Sequence, residues 1–413
     1  MLEASSNVLN VLESLPVLIE TSTFFVWFFS FAFFVRFLHI FSTTEPPRVT
    51  YTQKCHSEIR RILEELPILQ QPYRPPLLWG RSGHIQTAAY GILGHVTLRR
   101  SADQRVSLGL SDGSTVTFDI YEPLKVHQSG HDVTLALTPG IANSSESNYI
   151  RTCVHYAQEN GFRCVVLNHI GAIADVQVTG NRIFTYGGIE ELTIMMAYMM
   201  DRCPKAKFIN IGFSMGGNIT TRYLVYMPEN HRDRVLLGLS VCQGYSATNS
   251  TPMYHDWENG RRAYNYMITE NMKRLLRRNY EEVVKPYVLN GLVDEQKLWS
   301  CTSIIALDEY YSRKITGHSN LPDFYASVDC LPILDQVQVP MVFLNAEDDP
   351  IVPKKLWEPV KSMAADRVNL AFISCKHGGH LGFLEGSSLA PNSITWIDRF
   401  IIQLANQSVL VCT

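Results

Sequence analysis

The chain has 413 residues, of which 46% are hydrophobic and 18% charged, and its net charge is −3. That composition supplies the core of one large catalytic domain with an insertion, and it lacks the basic excess of a nucleic-acid-binding protein. Nine scattered cysteines without a C-x-x-C pair argue against a zinc ribbon, a redox dithiol or a disulfide framework, and read as buried thiols.

From Thr21 to Val35 the run TSTFFVWFFSFAFFV is uncharged and largely aromatic. If Arg36 snorkels, the run extends to Phe41 and reaches the length of a bilayer span. No Lys or Arg precedes it and it shows little polar face, which disfavours a signal peptide and a core helix. Residues 21–41 are therefore expected to anchor the chain in a membrane, behind a tail of residues 1–20. The basic residues Arg36, Arg48 and Lys54 follow the span, which by the positive-inside rule puts the main domain in the cytosol.

Residues 42–100 read as a linker and an N-terminal extension. STTEPPRV, from Ser42, is broken by two prolines, and HSEIRRILEELPIL reads as a short helix ending near Pro67. The main domain is expected over residues 101–410. It opens with RVSLGLSDGSTVTFDIYEP, two alternating strands around the turn Asp112-Gly113.

Strand and helix then alternate. DVTLALTPG is a strand, NYIRTCVHYAQENG a helix, FRCVVLNHIG a strand and GIEELTIMMAYMMDRC a helix. KFINIGFSMGG is a strand, GNITTRYLVYM a helix and RVLLGLSVCQG a further strand. Such repeats imply an α/β domain with a mostly parallel sheet and helices on both faces. The alternation stops over about 245–337, a polar and aromatic segment read as a helical lid inserted late in the sheet. It resumes with the strands of VPMVFLNAEDDPIVP and VNLAFISCKHGGH and a last helix around SITWIDRFIIQLA.

Within NIGFSMGGN, Ser214 stands between Gly212 and Gly216 at a strand-to-helix junction, where a nucleophile elbow belongs. The glycines let strand and helix approach closely while the serine takes a strained, exposed backbone. A serine hydroxyl needs a base and an orienting acid, in the chain order Ser, acid, His. Asp348 and Asp349 follow one late strand, and His377 and His380 follow the next. Asp349 is preferred because Pro350 fixes the turn beyond it. His380 is preferred because Gly378 and Gly379 set it on a close-packed turn; Asp348 and His377 are the runners-up. A metal bound by both histidines and both aspartates would leave the serine elbow without a role, so no metal or organic cofactor is expected. The oxyanion donors are expected to be the backbone N–H of Met215 and, on the loop TPGIANSS, that of Ile141.

Eight stretches together resemble the α/β-hydrolase superfamily, and within it the membrane-anchored acylglycerol lipase and esterase branch. They are PPLLWGRSGHIQTAAYG, PGIANSSESNYIRTCV, VLNHIGA, FTYG, GFSMGGNI, SVCQGYSA, NAEDDPIV and HGGHLGFLEG, spread over nearly all of the chain from about Pro75. The resemblance implies the α/β-hydrolase fold, with Ser214 as nucleophile, Asp349 as charge-relay acid and His380 as base. The substrates it implies are monoacylglycerols and other fatty or short-chain acyl esters. It also implies a type II anchor with the catalytic domain outside the cytosol, against the positive-inside reading; orientation follows the resemblance here. Asn143, Asn249 and Asn406 are candidate N-glycosylation sites, and a fourth sequon at Asn218 falls on the elbow helix. The expected function is a membrane-anchored lipid esterase. The alternatives are an acyltransferase on the same triad and a binding protein for a lipophilic ligand.

Overall fold

Apolar runs of six or seven residues recur through the chain, too continuous for one-sided strands, and they form the centre of a sheet buried on both faces. The computed structural model describes residues 23–54, 56–93, 101–255, 260–387 and 389–412. Its strands are β1 (Arg48–Thr50), β2 (Gln104–Gly109), β3 (Thr115–Tyr121), β4 (Val133–Thr138), β5 (Arg163–Asn168), β6 (Lys207–Phe213), β7 (Val235–Val241), β8 (Met341–Ala346) and β9 (Leu370–Cys375). They make one sheet in the order β1-β9-β8-β7-β6-β4-β5-β3-β2. Strands β4 to β9 run parallel, whereas β1, β2 and β3 pair antiparallel.

The two-residue period of a strand divides each run between two cores. In β8, Met341 and Phe343 pack on the side of the helices Glu190–Arg202, Met215–Tyr226 and Lys354–Asp366. Val342 and Leu344 face the helices Asn148–Glu159 and Trp396–Cys412. The last helix opens with a reciprocal cap: Asp398 N–H donates to Thr395 Oγ1 at 3.2 Å, and Thr395 N–H donates to the Asp398 carboxylate at 3.0 Å.

Chain order departs from spatial order at β4, which lies between β5 and β6. The loops leaving β4 and β6 therefore diverge around a crevice at the carboxyl ends of the strands, the usual place for a ligand in such a sheet.

Three features differ from the sequence expectations. The stretch read as a linker contains β1, an edge strand pairing with β9; Pro46 and Pro47 lie just outside it, where a missing N–H costs no ladder bond. The extension also contains a helix, Gly83–Leu93, that was not expected. Strand β3 is buried on both faces rather than alternating, because Asp119 and Thr117 on its second face are themselves covered. Asp119 is compensated by Arg105, whose Nε and Nη2 donate to its two oxygens at 2.7 and 2.8 Å.

The expected anchor is described only from residue 23 onward. Residues 23–38 are helical, with Phe24, Trp27, Phe31 and Phe33 exposed. No described helix is long and apolar enough to cross a membrane. Residues 21 and 22 of the expected span, and the tail 1–20, lie outside the described residues. At the end of this helix Phe37 stacks on His84 at 5.8 Å, and His84 stacks on Tyr264 at 5.9 Å and bonds its hydroxyl at 3.0 Å. The chain then continues as a strap across the body. Arg81 donates to the Ile40 carbonyl, Ser42 Oγ lies 3.0 Å from His377 Nε2, and Lys376 pairs with Glu45 at 2.8 Å.

Between β7 and β8, over the segment expected to be a lid, the described residues are mainly helical and form a cap-like insertion. Its longest helix is Arg261–Arg278, and one turn, Asp308–Ser312, is π-helical.

Candidate active site

Strand β6 delivers Ser214 to the helix Met215–Tyr226 through a turn in which Ser214 adopts φ 52°, ψ −119°. A side-chain-bearing residue in that region costs about 1–3 kcal/mol, and such strain gathers at functional sites. The neighbouring glycines allow it. A Cβ at Gly212 would sit 2.3 Å from the Gly216 carbonyl, and one at Gly216 would sit 2.0 Å from the Thr138 carbonyl. The turn is held by the Ser214 N–H, which donates to the Val241 carbonyl at 2.8 Å.

The structure brings Ser214, His380 and Asp349 together from three loops. Ser214 Oγ is 2.9 Å from His380 Nε2, and His380 Nδ1 is 2.8 Å from Asp349 Oδ2. Asp349 Oδ1 accepts the N–H groups of Ile351 and Val352 at 2.8 and 2.9 Å. The acid is thus buried, fully engaged and fixed in direction.

The runner-up residues form a second pair that faces away from the serine. Asp348 accepts the Gly379 N–H at 2.8 Å and lies 3.5 Å from His377 Nδ1. His377 Nε2 in turn meets Ser42 and the Thr43 carbonyl at 3.0 and 3.3 Å. One pair faces the hydroxyl and the other fastens the strap. The four residues therefore do not share one metal site; among the described residues the group with metal-binding geometry is Cys242, Asp349 and His380. Burial pushes the Cys242 thiol well above its ordinary value.

The turn carrying His380 is rigidly packed. Gly379 takes φ 58°, and a Cβ there would meet the Gly83 carbonyl at 2.4 Å. A Cβ on Gly83 would meet the Asp348 carbonyl at 1.9 Å. Three loops approach at backbone distance, and glycine makes the approach sterically permissible. Thr87, one helical turn beyond Gly83, accepts the His380 N–H at 2.8 Å and donates its own proton to the Gly83 carbonyl at 2.7 Å.

The loop after β4 is anchored from behind. Ser145 N–H donates to Asn168 at 2.8 Å, and Ser145 Oγ donates to Asp119 at 2.5 Å. Gly140 N–H is taken by the Tyr149 hydroxyl at 2.8 Å. Ile141 and Met215 line the same cavity as Ser214 and His380. This cavity measures about 310 Å³ and runs from the serine under the cap, where Ile268, Ile304, Val328 and Tyr254 line it.

The candidate glycosylation residues are placed differently from one another. Asn143 lines the cavity, with its amide donating to the Ile141 carbonyl at 2.9 Å and its oxygen accepting from Ser147 at 2.9 Å. Asn406 is half-buried and lies 2.9 Å from His127 Nε2, whereas Asn249 is exposed on the cap. Asn218 donates to the carbonyls of Tyr186 and Val328 at 2.9 and 2.8 Å.

Sequence reasoning missed Thr87, Cys242 and the acidic cap residue Asp308, all within or beside the cavity or triad. The stretch GHIQTAAYG carries a resemblance but no spacing rule that would mark Thr87, and an isolated Asp in a helical segment carries no signal.

Known proteins resemble this chain at the level of sequence. A family model described as alpha/beta hydrolase fold matches residues 133–387. A mouse protein named Monoacylglycerol lipase ABHD2 is 41% identical over 377 residues, covering 90% of this chain and 88% of that one. A Drosophila melanogaster protein named Abhydrolase domain-containing protein 2 is 42% identical over 346 residues, covering 84% and 86%. Among solved structures, a Pyrococcus furiosus esterase is 14% identical and covers 76% of this chain and 92% of its own, with a TM-score of 0.46.

Proposed function

The chain belongs to the alpha/beta hydrolase fold family, and on that premise we propose that it is a serine hydrolase of lipid carboxylic esters, with monoacylglycerols as its main substrates. The observation that carries this reading is the unbroken relay from Ser214 through His380 to Asp349, opening into a cavity of about 310 Å³. The similarity to proteins named monoacylglycerol lipase supports the choice of substrate.

In this mechanism His380 Nε2 takes the Ser214 proton as Oγ attacks the ester carbonyl. Asp349 holds the Nδ1 proton and stabilises the imidazolium that forms. The Met215 N–H, at the first position of its helix and free of an intrahelical partner, and the Ile141 N–H receive the negative oxygen of the tetrahedral intermediate. His380 then protonates the departing alcohol, and water attacks the acyl-serine by the same route in reverse.

We assign residues 21–41 to membrane attachment, with the catalytic domain outside the cytosol. The exposed aromatic side chains of residues 23–38 support the attachment, and the exposed sequon at Asn249 suits that orientation. Fluorophosphonate labelling tests the relay: strong labelling of the wild type and none of Ser214→Ala or His380→Ala is expected, and equal labelling of all three sinks the assignment. An Asn249-dependent mobility shift on glycosidase treatment checks the orientation, and no shift overturns it.

A further inference from the structure

The cavity wall contains two carboxyl groups that the reaction above does not use, Asp308 and Asp329. Asp308 begins the π-helical turn Asp308–Ser312 in the cap, is 1% exposed, and lines the same cavity as Ser214 and His380. Tyr186 donates its hydroxyl to Asp308 Oδ1 at 2.8 Å, and Tyr325 donates to Oδ2 at 3.0 Å. Both tyrosines also line the cavity. Among the described residues no Lys, Arg or His pairs with this carboxyl.

A buried carboxyl without a cation is expensive, and structure-building alone would favour an apolar residue there. Two other polar side chains on the wall, Asp329 and Asn265, are held by neighbouring groups. Asp329 accepts from Ser246 Oγ at 2.8 Å and from the Ala247 N–H. Asn265 donates to the Tyr254 carbonyl at 3.2 Å and accepts the Ile304 N–H at 2.8 Å. The Ser312 hydroxyl is a third partner of the Asp308 carboxyl; each oxygen has two lone pairs, so acceptor capacity remains after the two tyrosine bonds and the serine bond. A π-turn, rare in helices and frequent at functional sites, carries it.

We propose that Asp308, with Tyr186 and Tyr325, forms a subsite that hydrogen-bonds a hydroxyl group of the substrate. The inference rests on the ester-hydrolase reading and deepens it by naming the side chains that would read a hydroxyl on the ester. A hydroxyl both donates and accepts, which matches a carboxyl flanked by two phenols, whereas a purely hydrocarbon group would leave the remaining acceptor site of the carboxyl unfilled and out of water. Burial pushes the Asp308 carboxyl up to about 7, against the lowering by its hydroxyl partners, so near neutral pH it can either accept a hydroxyl's proton or donate its own. The hydroxyl has two sources, the glycerol of a monoacylglycerol or the far end of a hydroxylated acyl chain.

Three esters separate these sources: glyceryl dodecanoate, methyl 12-hydroxydodecanoate and methyl dodecanoate. For Asp308→Asn we expect kcat/KM to fall about 10-fold more on one hydroxylated ester than on methyl dodecanoate, the loss of roughly one good hydrogen bond. The glyceryl ester responding assigns the glycerol; the hydroxy ester responding assigns the acyl end. Tyr325→Phe and Tyr186→Phe, which keep the ring volume, should shift the same ratio. A parallel fall on all three esters, or no change on any, overturns the subsite. Binding provides a readout independent of turnover: 1-O-dodecylglycerol or 12-methoxydodecan-1-ol should raise the wild-type Tm more than dodecyl methyl ether does, and Asp308→Asn should erase that difference. Discrimination in binding with no cleavage of any ester would refute the hydrolase reading and keep the subsite. Cleavage without discrimination in either assay would do the reverse.

Discussion

Replacing Thr87 by valine keeps the shape of the side chain and removes one hydroxyl that serves two backbone groups. The His380 N–H, now accepted at 2.8 Å, is left buried, and the Gly83 carbonyl loses a donor at 2.7 Å. Leaving a buried backbone group unpaired costs about 1–3 kcal/mol, so Tm should drop by a few degrees. The larger effect should be on catalysis. Thr87 touches no reacting atom in the relay; it is a positioning residue that sets where the His380 backbone lies. His380 Nε2 must stay within hydrogen-bond reach of Ser214 Oγ, now 2.9 Å, and a misplacement of about 1 Å can cost on the order of 100-fold. Because the base acts in the transition state, kcat should fall with little change in KM. Thr87→Ser, which retains the hydroxyl, should recover most of the rate. The assay is steady-state hydrolysis of a chromogenic dodecanoyl ester alongside thermal unfolding. Thr87→Val within twofold of wild type in kcat, or Thr87→Ser as slow as Thr87→Val, would refute this reasoning.

The two aspartates of the acid loop should separate cleanly. Asp349→Asn should reduce kcat by about 10⁴-fold, since the amide favours the wrong imidazole tautomer, and Asp348→Asn by less than about 10-fold; equal losses would mean that the relay is misassigned. Gly216→Ala places a methyl 2.0 Å from the Thr138 carbonyl, a backbone atom that cannot swing aside. It should destabilise the fold by about 3 kcal/mol or more, and a Tm equal to wild type would contradict the packing described. Asp308 holds its proton more tightly in the folded chain, at about 7 against 3.8, so its contribution to stability is full below about pH 4 and is lost as pH rises through 7. The span corresponds to at most about 4 kcal/mol. The Tm of the wild type should therefore fall relative to Asp308→Asn between about pH 4 and 7, and parallel curves would argue against the raised value.

The parts of this molecule that follow local periodicity were legible without coordinates. Strands β4 to β9 announce themselves as short apolar runs, and the helices between them by turn residues such as Gly161. Ser214, Asp349 and His380 could be named because their order and their places after particular strands are constrained by sheet topology. Strand β1 escaped notice because three residues beside two prolines carry no pattern; its partner β9 supplies its hydrogen bonds. The helix Gly83–Leu93 has weak amphipathic character, with Gly, His, Thr and Ala mixed along it, and its place is set by contact with two catalytic loops. Choosing between His377 and His380 depended on where each ring finds a partner, a long-range fact. The preference for His380 rested on its glycines, whose role in the structure is close packing.

The strap formed by residues 42–50 also decides where the enzyme can be cut. Ser42 and Thr43 hold His377, Glu45 holds Lys376, and Arg48 to Thr50 complete the sheet edge on β9. A soluble version made by deleting everything before residue 101 would discard Thr87 and expose the edge of β9 to pairing with another molecule. The usable cut for expression or crystallisation lies between Phe41 and Ser42, where the last aromatic side chain points into solvent and the first bond to the catalytic loop begins.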